Sequence, residues 1–82
     1  MISLKSVENH YNSLKEKYEN GTISLFSARL NAITLLAYVA EIYNNLDNIK
    51  INERDKKVYI TYHKKIKQLI DEIDYLLDEK TI

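Results

Sequence analysis

The sequence predicts an all-α fold, an antiparallel three-helix bundle with helices over about 4–19, 24–46 and 53–79. Three observations point there. The 82 residues include one glycine and no proline, whereas sandwiches, barrels and meanders need a turn residue every few positions. Apolar residues recur at steps of three and four, the spacing of one helix face. The stretches between those periodic runs are short and polar, which makes consecutive helices antiparallel neighbours.

In the first helix Leu4, Val7, Tyr11, Leu14 and Tyr18 form one seam. Ser3 is a suitable N-cap, because its hydroxyl can accept a bond from an amide of the first turn. Gly21 ends the helix where a left-handed residue is wanted, since it has no Cβ to clash. Thr22 or Ser24 then caps the second helix. There Asn31, Thr34, Tyr38, Glu41 and Asn45 make a narrow polar stripe, while Leu25, Phe26, Leu30, Ile33, Leu36, Val39, Ile42, Tyr43 and Leu46 cover most of the remaining circumference. A helix so apolar is expected to be central, the most buried of the three and covered on more than one side. Two flanking helices can leave part of it bare. Residues 47–52 connect to the third helix, with Asn52 the N-cap and Asp55 placed to return the bond. VYITY (58–62) alternates like a strand, but Tyr59, Tyr62, Ile66, Leu69, Ile73 and Leu76 carry a helical period straight through it.

Composition narrows the function classes. One domain, residues 1–82, is expected, with a thin core for its size, so a partner or a second copy would add useful stability. Twelve basic and twelve acidic residues cancel, and there is no cysteine; a polyanion-gripping protein is disfavoured, and thiol or cysteine–zinc chemistry is excluded. The start, MISLKSVENHYN, lacks a signal-peptide core. AITLLAYVA (32–40) is about half a membrane span. A cytoplasmic protein with no membrane association and no cofactor is expected.

The candidate sites begin with KKVYITYHKKIKQ (56–68). On a wheel Lys56, Lys57, Lys64 and Lys67 fall outward with Ile60 among them, whereas Tyr59 and Tyr62 turn into the core. Lysines and aromatics are therefore not interleaved, as stacking on bases would require. Residues 53–67 hold six basic and two acidic residues, a balance of +4; residues 68–82 hold one basic and five acidic, a balance of −4. That order opposes the helix dipole. It suits an antiparallel copy of the same helix. Arg29 lies on the apolar arc, where its stem can lie on the core while its head reaches Glu16 or Glu19, or where it can anchor a partner. Of seven tyrosines, Tyr11, Tyr18, Tyr43, Tyr59 and Tyr62 sit on core seams and Tyr38 and Tyr75 point outward. His10 and His63 have no histidine or carboxylate one turn away, so neither begins a helical metal site. No phosphate loop or nucleophile elbow is present. An enzyme is not expected.

Two stretches resemble known families. IDEIDYLLDE (70–79) is similar to the opening helix of the all-helical chorismate mutases, which need further basic helices after it; here only Lys80, Thr81 and Ile82 follow, and no such activity is expected. Residues 14–38, LKEKYENGTISLFSARLNAITLLAY, resemble the middle of the small immunity proteins that protect producers of antilisterial bacteriocins. That resemblance implies a cytosolic antiparallel helical bundle acting through protein contacts.

The sequence thus favours a small non-enzymatic helical protein that binds another protein, as an inhibitor, antitoxin-like factor or adaptor of phage or plasmid type. Its contacts are expected at Arg29, Tyr38, Lys57, Ile60, Lys64 and Tyr75, and a homodimer through helix three or the bare apolar surface of helix two is expected. The alternatives are a nucleic-acid-binding protein using Lys56, Lys57, Lys64 and Lys67, and an immunity-like bundle.

Overall fold

The computed structural model describes residues 4–48 and 50–81. They form three α-helices, α1 (Leu4–Asn20), α2 (Leu25–Asn44) and α3 (Glu53–Thr81), with a short 3-10 turn over Leu46–Asn48. VYITY is helical throughout, as the longer period requires. Ser3, the expected cap of α1, lies outside the described residues.

Each boundary has a local cause. Gly21 sits at φ +70°; its N–H donates to Tyr18 O at 3.2 Å and that of Thr22 to Lys17 O at 3.0 Å. This is the paired closure of a helix ended by a left-handed residue. Ser24 rather than Thr22 caps α2, its Oγ accepting from Ser27 N–H at 3.1 Å. Thr22 instead donates its hydroxyl back to Lys17 O. Asn52 caps α3 by accepting from Asp55 N–H at 2.8 Å, and the Asp55 carboxylate receives the Asn52 side-chain amide. The end of α2 falls two residues before Leu46: Asn45 N–H turns to Ile42 O, Asn48 N–H to Asn45 O, and Leu46 packs from the 3-10 turn.

The contacts fix the direction of travel. Arg29 meets Asp74 and Tyr43 meets His63, so α2 and α3 run antiparallel. Tyr11 meets Tyr62 edge-on at 5.5 Å, and α1 runs alongside α3. The bundle is up-down-up, 46 × 21 × 17 Å, with α2 the central strut that packs on both neighbours.

The core comprises Val7, Tyr11 and Leu14 from α1, Ala28, Ala32, Leu35, Val39 and Ile42 from α2, and Tyr59, Ile66, Leu69 and Ile73 from α3. The contribution of α2 differs from expectation. The side turned inward carries two alanines, whose small size lets the flanking helices approach closely. Phe26, Leu30, Ile33 and Tyr43, assigned to a covered circumference, are exposed instead. As expected, α2 packs on both neighbours and the two leave part of it bare; that bare part is the side carrying Phe26 and Leu30. An 18-residue window of α2 reaches mean hydropathy 1.3, enough to cross a membrane by length and composition alone, a test that the core helix of a bundle also passes. The uninterrupted run 32–40 understates this, since Arg29 and Glu41 are its only charges.

Candidate protein-binding face

Two apolar seams run along α2. Ala28, Ala32, Leu35, Val39 and Ile42 step by four, three, four and three, and face the core. Phe26, Leu30, Ile33 and Ala37 step by four, three and four. At about 100° per residue the second seam lies almost diametrically opposite the first. Phe26 is 73% exposed and Leu30 66%, with Ile33 and Ala37 also exposed. A seam of this period is what packs one helix onto another. The described residues leave Phe26 and Leu30 largely uncovered, while Ile33, at 37% exposure, is the most covered of the three.

One edge of the seam continues onto α3. Going round α2 from Ile33 come Ala40, Arg29 and Leu36, all partly buried, then Tyr43. The Arg29 Nε donates to Asp74 Oδ1 at 2.5 Å, both side chains being close to half exposed. The expectation of an α1 acid, Glu16 or Glu19, is corrected. The antiparallel α3 brings Asp74 beside the first turns of α2 from 45 positions away, a proximity local spacing cannot show. Tyr43 was expected on a core seam. It lies on the surface instead, stacked on the His63 ring at 4.1 Å and 8°. Burial, then the Lys67 charge, holds the His63 imidazole below its ordinary pKa.

Next round α3 come Lys67, Ile60 and Asp71. Ile60 is exposed, as are Lys57 and Lys64 further out. Tyr75, 63% exposed, lies on the outermost line of α3, and Tyr38, 52% exposed, belongs to the polar stripe of α2. Of the six contact residues expected, Arg29, Ile60 and Lys64 approach one surface with the bare seam, whereas Tyr38, Lys57 and Tyr75 stand away from it. Lys56 is the least exposed of the four lysines and pairs with Glu53 at 3.4 Å. The aromatics do not join them: Tyr59 is buried, and Tyr62 turns to Tyr11 with Lys65 Nζ 5.2 Å from its ring centre.

Burial, with the Asp55 charge in second place, raises the pKa of Tyr59; burial, then Glu72, raises that of Tyr18; burial, then Glu8, raises that of Tyr62. These phenols are packing groups with hydroxyls at the rim. A cleft of about 570 Å³ opens beside the Gly21 turn, lined by Tyr18, Glu19, Ile23, Ser24, Leu25 and Leu76. Glu19 is its one charged lining residue, which offers no acid–base pair. Among the described residues no three His, Asp or Glu side chains gather as a metal-holding group.

The residues that sequence reasoning missed are Phe26, Leu30, Ile33 and Ala37. The signal was present: a second four-three-four repeat, two residues out of phase with the alanine-bearing one. Comparison with known protein families, with curated proteins and with solved structures finds no match to this chain.

Proposed function

We propose that this chain is a non-enzymatic helical protein that works by binding protein, an inhibitor, antitoxin-like factor or adaptor of the kind phages and plasmids carry. The observation that carries the reading is the bare seam of Phe26, Leu30, Ile33 and Ala37, opposite the buried side of α2. Phe26, Leu30 and Ile33 are large, and the four residues are contiguous and at helix-packing spacing, unlike scattered surface hydrophobes, which are ordinary. The polar stripe and the charged side of α3 border it, an apolar centre with a polar rim. Arg29, Ile60 and Lys64 fit contacts at that rim, and Tyr38 and Tyr75 fit recognition beyond it.

The test is capture from lysate on the tagged chain, with and without nuclease, beside a Leu30→Lys variant. A stoichiometric protein that survives nuclease and is lost with Leu30→Lys is expected. Capture abolished by nuclease would overturn the reading in favour of Lys56, Lys57, Lys64 and Lys67 on nucleic acid. Capture indifferent to Leu30→Lys would remove this face from the function.

A further inference from the structure

Resting on the reading of this face as a protein-docking surface, we infer that its occupant is a second copy of the chain, paired antiparallel through α2 and α3 about one two-fold axis. Two independent patterns of the face invert at the same level of the bundle.

The first is steric. From its N-terminal end the seam runs Phe26, Leu30, Ile33 and then Ala37, Ala40 and Asn44, three large residues followed by three smaller ones. A parallel pairing sets Phe26 on Phe26 and Ala37 on Ala37, crowding one end and leaving the other open. An antiparallel pairing centred near Leu35 sets Leu30 against Ala40 and Ile33 against Ala37. Large meets small along the whole contact, which close packing favours.

The second is electrostatic. The balance of α3 changes from +4 to −4 between Lys67 and Asp71. The cross-contacts give its level: Leu36 falls midway between Arg29 and Tyr43, and the gap between Gln68 and Leu69 falls midway between His63 and Asp74. The size reversal and the charge reversal therefore share one cross-section. A two-fold axis there brings the basic half of each α3 level with the acidic half of the other, Lys67 opposite Asp71 in both directions. Lys64, Lys67 and Asp71 are exposed, and among the described residues none of them is in an ion pair. The seam's side chains alone fall short of the roughly 800 Å² per partner of a specific interface, so α3 has to share the contact.

Sedimentation equilibrium of the full chain at low salt tests the pairing. Twice the 9.7 kDa chain mass is expected. Leu30→Lys should weaken association at least roughly tenfold with helicity unchanged, because the residue is exposed. Lys67→Glu and Asp71→Lys should each weaken it, and the double reversal should restore it. The chain has no cysteine, so an introduced thiol reports orientation. Ala37→Cys, on the seam close to the axis, should give a disulfide-linked dimer, and Ser27→Cys, far from it, should not. A single-chain mass at every concentration overturns the dimer. Equal cross-linking of the two variants overturns the antiparallel arrangement. A monomer that co-sediments with phosphatidylcholine vesicles through Leu30 gives the face to lipid and overturns the dimer. If the chain is monomeric yet Leu30-dependent protein capture persists, the self-pairing fails and the proposed function stands; if both are lost, both fail.

Discussion

His63 is the side chain through which this bundle should feel mild acid. It lies partly buried against Tyr43 with Lys67 one turn away, and its pKa is lowered, by burial first and by that charge second. Below about pH 6.5 the unfolded chain takes up a proton that the folded site resists. The histidine's contribution is thus complete above that pH and is lost as pH falls through the folded value. Urea unfolding of the wild type beside His63→Gln should show a pH 7-to-5 loss that is smaller in the variant; identical slopes would mean the site is effectively solvated. Ile66 stands at the opposite extreme, with no accessible surface. Ile66→Ala should cost about 2–5 kcal/mol, against a total of roughly 4–12 kcal/mol for a chain of this length. Thermal unfolding followed by helicity should show a large fall in midpoint. The ion pair of Arg29 with Asp74 is a different case: half exposed, it is worth at most about 1 kcal/mol.

At the scale of elements, turns and caps were legible in the sequence and the facing of α2 was not. Gly21, Ser24 and Asn52 each perform the backbone task that their chemistry suits, since a cap is decided within four residues. Gly21 allows a clean check. A Cβ added there meets nothing within 4 Å, so Gly21→Ala tests only the positive φ and should cost about 1–2 kcal/mol; no loss would mean the turn relaxes. The facing of α2 depends instead on what its neighbours choose to touch. Phe26, Leu30 and Ile33 outrank Ala28 and Ala32 in hydrophobicity, and reading by size placed the larger residues inside. Close helix approach reverses that preference. Ala28 and Ala32, both at 0% exposure, hold the helices near one another. Ala32→Leu should therefore destabilise by about 1–3 kcal/mol through overpacking, although leucine is the better hydrophobe. Chemical denaturation distinguishes this from the gain expected if α2 had room. The partner of Arg29 was hidden for a related reason, because the level of α2 against α3 is set by packing and not by sequence spacing.

At the scale of the whole molecule, the charge order of α3 was legible in the sequence, whereas its coincidence with the reversal on α2 needed the fold. Alone, a helix with a basic first half and an acidic second half works against its own dipole; an inverted copy at the same level turns that cost into attraction. If the bundle is half of such a pair, its stability includes an association term and must depend on concentration. Each tenfold rise in concentration is worth about 1.4 kcal/mol per dimer, hence about 0.7 per chain. At the usual sensitivity of a domain this small, that moves the thermal midpoint by roughly 3–6 °C. Added salt should lower the midpoint at fixed concentration, because charges at the rim of the interface are screened within about 10 Å at 0.1 M. Leu30→Lys should abolish the concentration dependence and most of the salt dependence together. A wild-type midpoint that stays constant over a hundredfold range of concentration would mean that α2 presents its bare seam to solvent in the isolated protein and that no second copy covers it.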